Sequence, residues 1–202
     1  MRSAPAKLLS EPDTGRLLKA ASNSRHPHRN KVIVLLSVRA GLRASEIARL
    51  EWSMITDGRG RVARLIELPG RIVKYGLARR VPLHPELRAA LVALKRVMPA
   101  NRCSGPVVAS ERRGAGDDAS PQPMKPKAIV NWFTTACSEA GLDGCSSHSG
   151  RRTFVTRAAR LVHKAGGSLR DVQQLAGHRS IETTQAYIDG DADSQRRLVR
   201  MM

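Results

Sequence analysis

Residues 147–187, SHSGRRTFVTRAARLVHKAGGSLRDVQQLAGHRSIETTQAY, decide how the rest of the chain is read. The stretch opens on His148 and Arg151 and closes on His178 and, nine residues later, Tyr187. Phe154, Ala158 and Leu161 follow His148 at helical spacing, so His148 and Arg151 share a helix face and can reach one target. With Ser147 or Ser149 as its cap, that helix also presents N–H groups that favour an anion. Gly166-Gly167 breaks the pattern, Leu169, Val172 and Leu175 begin another helix, and a final short helix is expected to carry Tyr187. Two imidazoles, a guanidinium and a phenol gathered in one place suit a phosphodiester better than an acyl group or a sugar.

Charge points the same way. The chain has 202 residues, enough for one good core, with 35 Lys+Arg against 17 Asp+Glu and a net charge of +18. No carboxylate lies between His148 and Arg170, whereas Arg151, Arg152, Arg157, Arg160 and Lys164 do. A polyanionic partner follows, nucleic acid ahead of an anionic membrane. Aromatic residues make up only 3%, which argues against single strands held by base stacking and for duplex DNA gripped through its phosphates. Cys103, Cys137 and Cys145 form neither a CxxC pair nor an even framework, so reduced thiols are expected rather than disulfides or zinc. No apolar run reaches membrane-spanning length and no signal-peptide core is present, so a soluble intracellular protein is expected.

Earlier in the chain, residues 1–9 read as a loose basic lead-in, and Ser10 with Asp13 as a capping box for a helix through Leu17, Leu18 and Ala21. Val32 to Val38 is almost continuously apolar, as in a buried helix ending at Gly41; a short helix through Ser45, Ile47, Ala48 and Leu50 comes next. From Trp52 to Leu83, β-branched runs (Val62 to Leu68, Ile72-Val73, Arg80 to Leu83) alternate with turn signals and predict a small antiparallel sheet. Helical spacing returns at Leu87, Leu91, Leu94 and Met98, and again at Ile129, Phe133, Ala136 and Ala140. Between them Ser110 to Pro126 reads as a polar Gly- and Pro-rich loop. Trp52 and Trp132 are expected in the core. The fold class is α+β: mostly helical, with one small antiparallel sheet, as a single domain.

Three stretches in order carry a resemblance. AGLRASEIARLEWSMI (40–55), HSGR (148–151) and LAGHRSIETTQAYI (175–188) resemble the three signature boxes of the tyrosine recombinases, the phage integrase family. The match covers roughly Ser10 to Ile188, and three boxes ending on a tyrosine are far more specific than any one. The resemblance implies that Arg43 and Arg151 clamp the scissile phosphate, where two guanidiniums offset charge growing in the transition state. It implies that His148 and His178 hydrogen-bond the same phosphate, with His148 a candidate to take the tyrosine proton, and that Tyr187 is the nucleophile forming a 3′-phosphotyrosyl link. Glu46, three residues after Arg43, would orient it. Lys74, the only lysine between Lys31 and Lys95 and eight residues before Pro82, matches the family's hairpin lysine, the general acid for the leaving 5′-oxygen. Arg79, Arg80, Arg152 and Arg157 are candidate DNA contacts. No metal or nucleotide cofactor is implied, because the covalent link retains the free energy of the broken bond.

Departures from the pattern are also visible. Gly150 and Arg152 replace the commoner leucine and histidine of the second box, and an acidic run (Asp189, Asp191, Asp193) follows the tyrosine. Family members generally carry an N-terminal helical domain that closes around DNA; with the pattern beginning by Ser10 it is expected to be absent here, which leaves a minimal recombinase or a fragment of a longer integrase. Residues 189–202 form a tail that is a candidate for docking into a neighbouring subunit, and full recombination would need a tetramer on double-stranded DNA. The expected setting is the cytoplasm of a bacterium, on the nucleoid, with the chain bacterial or phage-encoded. Two rivals stay open: a type IB topoisomerase-like DNA-relaxing enzyme, and a catalytically inactive DNA-binding accessory module.

Overall fold

The apolar run at 32–38 does what its composition demands. It lies within helix α2 (Pro27–Val38), every residue from Val32 to Val38 is buried, and four of the other helices pack against it. Helix α1 (Glu11–Ser22) starts at the expected Ser10–Asp13 capping box and buries Leu17 and Ala21. Helix α3 (Ala44–Ala48) follows, then α4 (Pro85–Val97), which buries Leu87, Leu91 and Leu94, and α5 (Pro126–Glu139), which buries Ile129 and Phe133. The computed structural model describes residues 6–99, 104–113, 121–187, 199–200 and 202.

The sheet predicted after Trp52 is a two-stranded hairpin. Strand β1 (Leu65–Leu68) pairs antiparallel with β2 (Arg79–Pro82), Ile66 opposite Val81 and Leu68 opposite Arg79. Ile72 and Val73 are not strand: they belong to the connection, beside two short 3-10 turns, Gly70–Ile72 and Lys74–Gly76, and both are buried there. The expected loop at 110–126 also differs. Strand β3 (Ala109–Arg113) pairs antiparallel with β4 (Pro121–Pro123), Ala109 opposite Pro123, so there are two small sheets among the described residues. Two prolines in three residues mask β4 in the sequence, yet proline is tolerated where a strand lies at a sheet edge.

Helix α6 (Ser147–Leu161) carries His148 and Arg151. Its cap is Ser146 rather than Ser147 or Ser149: the Ser146 side chain accepts from the His148 N–H, and Ser149 answers as the other half of a capping box. The residues just before α1 are not loose. Leu9 is buried and donates its N–H to Thr153 Oγ1 at 2.8 Å, which lays the lead-in along α6. Past a left-handed Gly166 come α7 (Leu169–Ala176) and α8 (Ile181–Gln185). Tyr187 lies just beyond α8, not in it, in a turn whose N–H reaches the Thr184 carbonyl. Val155, Ala159, Val162, Val172 and Ala176 form a second, smaller apolar cluster, and Tyr187 packs on its flank. The tail, including the acidic run, lies outside the described residues apart from 199, 200 and 202. No helix among the described residues is long and apolar enough to cross a membrane.

Candidate active site

A cleft of about 1210 Å³ collects the residues singled out from the three separated boxes and the hairpin. Arg43, Lys74, His148, Arg151, His178 and Tyr187 all line it. Arg152 and Arg179 join them, and among its described lining residues there is no carboxylate. Five cations line one concavity, and the buried Glu46 behind Arg43 offsets only part of their charge, so the cleft favours an anion.

Each side chain is placed by its own element. Arg43 is the N-cap residue of α3. Its main-chain N–H donates to Glu46 Oε2 at 2.9 Å and its Nη1 to Glu46 Oε1 at 3.0 Å. Glu46 is fully buried. Burial alone would raise its carboxyl, but the hydrogen bonds and charge of Arg79, with those of Arg43, overturn this and hold it below its ordinary value. Arg151 is 5% exposed and donates to two backbone carbonyls, of Gly41 and of Ala176, the latter at 2.6 Å. Burial, and then the neighbouring Arg43 guanidinium, lower its pKa to about 10, so it is still a cation at neutral pH. Those two carbonyls belong to the first and third boxes, so Arg151 joins all three.

His178 is 6% exposed. Burial, with Arg151, Arg43 and Arg79 nearby, pushes its pKa down to about 4, leaving a neutral ring. Its Nδ1 lies 2.9 Å from Thr184 Oγ1, and Gln173 Nε2 donates to its main-chain carbonyl at 3.1 Å. The Tyr187 ring stacks on it, with centroids 5.5 Å apart and planes 19° apart, and its phenol is within electrostatic reach of Arg151. Lys74 sits exposed in the hairpin connection, its Nζ 4.9 Å from the centre of the Tyr75 ring, and His148 is exposed on the first turn of α6.

Not every candidate lands where expected. Arg79, a candidate DNA contact, is turned inward: its side chain is 6% exposed, both ends of its fork bind Glu46, and its Nε donates to the Leu175 carbonyl at 3.0 Å. Arg152 lines the cleft while donating to the Ala6 carbonyl at 2.9 Å. Arg157 does not line it; it pairs with Glu11 and donates to the Leu9 carbonyl. Arg80 is exposed on β2 opposite Glu67, at 3.2 Å, and lines a neighbouring cavity instead. Thr184 and Gln173, which hold His178, carry no signature of their own in the sequence; the one hint is that Thr184 stands three residues before Tyr187. Cys137 and Cys145 are free thiols, and Cys103 lies outside the described residues.

Comparison with known proteins agrees with this geometry. The phage integrase family matches residues 7–193. Tyrosine recombinase XerC of Brucella melitensis biotype 1 is 29% identical over 171 residues, which cover 84% of this chain and 48% of the relative. The crystal structure of XerA recombinase superposes with a TM-score of 0.70 at 25% identity, covering all of this chain and 65% of that one. A structure of the Tn1549 transposon integrase in complex with a circular intermediate DNA gives a TM-score of 0.71 at 17% identity, a likeness of fold. The chain spans about half the length of the curated relatives it matches. With residues 7–193 inside the family's boundaries and every signature side chain on one cleft, the chain belongs to the phage integrase family.

Proposed function

We propose that the chain is the catalytic part of a site-specific DNA recombinase that cuts and rejoins duplex DNA through a 3′-phosphotyrosine. The observation that carries this is the gathering of Arg43, Lys74, His148, Arg151, His178 and Tyr187 on one cleft free of carboxylates among its described lining. Arg43 and Arg151 hold the non-bridging oxygens of the scissile phosphate and offset the charge that builds on them. The Tyr187 oxygen attacks phosphorus as its proton passes to His148, the bond to the 5′-oxygen breaks, and that oxygen takes a proton from Lys74. His178, neutral at working pH, serves the phosphate as a hydrogen-bonding group rather than as a third charge. Attack by the 5′-hydroxyl of a partner strand reverses the steps, and a full exchange takes four copies on two duplexes.

The test works on a randomised target. The chain is incubated with a pool of short duplexes, randomised around a nick that lets the short fragment bearing the new 5′-hydroxyl diffuse away, and SDS-stable protein–DNA adducts are recovered and sequenced. Wild-type protein should accumulate an adduct joined through Tyr187 to a 3′-phosphate. Tyr187→Phe should form none while retaining DNA affinity within about twofold, since one hydroxyl contributes little beside many phosphate contacts. An adduct that persists in Tyr187→Phe would move the nucleophile elsewhere. Relaxation of a supercoiled plasmid with no strand exchange between selected sites would favour the topoisomerase reading.

A further inference from the structure

Arg79 lies on β2, five residues after Lys74, and its buried fork is spent on one partner. Nη1 reaches Glu46 Oε1 at 3.0 Å and Nη2 reaches Oε2 at 2.9 Å. With the two hydrogen bonds from Arg43, the Glu46 oxygens accept four, which fills the lone-pair directions a carboxylate has. The division between the arginines is unequal. Arg79 spans both oxygens, whereas the Arg43 guanidinium gives Glu46 only Nη1, and its Nη2 makes no more than a 3.4 Å contact with the Gly177 carbonyl. A fork not closed on Glu46 can close on an anion in the cleft that Arg43 lines.

We propose that Arg79 is a positioning residue for the phosphate clamp: by taking both oxygens of Glu46, it keeps the Arg43 guanidinium open toward the cleft. The proposal rests on the reading of the cleft as a DNA-cleaving site. Without Arg79, a fully buried carboxylate would face one guanidinium in a medium of low dielectric, and that attraction would draw Arg43 into two-point pairing and away from a phosphate. Lysine is a poor substitute, because a point charge cannot span two oxygens and also hold the Leu175 carbonyl. The same fork explains why residue 177 is glycine: its φ is +61°, and a Cβ there would meet Arg79 Nη1 at 2.7 Å. Arg79 thus ties the strand after Lys74 to the helix carrying Arg43 through its ion pair with Glu46, and to the helix end before His178 through its hydrogen bond to the Leu175 carbonyl.

The experiment compares adduct formation on a phosphodiester with that on a methylphosphonate at the same position, each relative to wild-type protein. A methylphosphonate has one non-bridging oxygen replaced by methyl and carries no charge, so it depends less on a second guanidinium. Arg79→Lys should slow cleavage of the phosphodiester about tenfold or more, yet leave the methylphosphonate within about threefold of wild type. Equal slowing on both substrates, or no slowing on either, overturns the proposal. Arg79→Met should be slower still, and adding Glu46→Gln should recover a large part of that loss, because the carboxylate charge that draws Arg43 inward is gone. A double variant that is unfolded, or folded and no faster than Arg79→Met, assigns Arg79 a purely architectural role and overturns the proposal as well. Wild-type protein that forms no adduct would instead sink the reading of the cleft, so the two failures are distinguishable.

Discussion

His178 has the most to say at the scale of a residue. Its ring is buried among Arg151, Arg43 and Arg79, and a folded pKa of about 4 against an ordinary 6.5 means the unfolded chain takes up this proton first. Between those values the unfolded state binds more protons, so stability rises with pH across that window and falls as pH drops. The buried carboxylate Glu46, its pKa lowered from 4.5, begins to lose its stabilising contribution only as pH falls to about that value, which leaves the pH 7 to 5 interval to His178. Denaturant unfolding should therefore show a loss of at most about 2 kcal/mol from pH 7 to pH 5. The loss should flatten in His178→Asn, which cannot titrate. A wild-type curve flat over that interval would mean that the ring is solvated and that its neighbours do not press on it. The Thr184 contact matters for the same reason: a neutral ring carries one N–H, and a hydroxyl 2.9 Å from Nδ1 biases which nitrogen has it.

At the scale of an element, helix α6 meets α2 through a pair of small residues. Gly150, where the family more often has leucine, is buried, and a Cβ built on it would fall onto Ser37 Oγ and within 3.0 Å of a Val38 methyl. Gly→Ala in a helix interior ordinarily stabilises by about 1 kcal/mol, but forcing a methyl into a filled contact costs about 1–3 kcal/mol, so the clash wins. Gly150→Ala should lower the unfolding midpoint and, by shifting the turn that bears His148 and Arg151, slow cleavage too. Ser37 Oγ is buried and has no hydrogen-bond partner among the described residues, so Ser37→Ala should be neutral or stabilising alone and should rescue Gly150→Ala. If Gly150→Ala is more stable than wild type, the helices are free to part there. Local chemistry made several elements legible: the Ser10–Asp13 box, the apolar run of α2 and the leucine spacing of α4 each have one physical outcome. The cap of α6 was not, because Ser146, Ser147 and Ser149 all suit the role and only the direction of the preceding chain chooses. Strand β4 was hidden by its prolines.

For the whole molecule, the resemblance of the three boxes to the tyrosine recombinases already implied which side chains belong together, and one cleft does collect them. What could not be read was the fate of individual arginines. Arg79 and Arg80 are neighbours in the chain and alike in composition, yet strand alternation buries one against Glu46 and exposes the other. Arg152 and Arg157 divide similarly, one lining the cleft and the other held by Glu11 and the lead-in. This division can be tested through salt. The chain carries +18, and five cations line the cleft, so neutralising that many phosphates gives a slope of log affinity against log salt of about −4 or steeper. Arg152→Ala should weaken binding on all sequences alike and make the slope shallower by about 1, whereas Arg157→Ala should leave it within error. The measurement is a set of binding titrations on one duplex at several salt concentrations. A slope near zero for wild type would mean that the positive charge does not face DNA, and an equal change for Arg157→Ala would place the duplex across α6 rather than in the cleft.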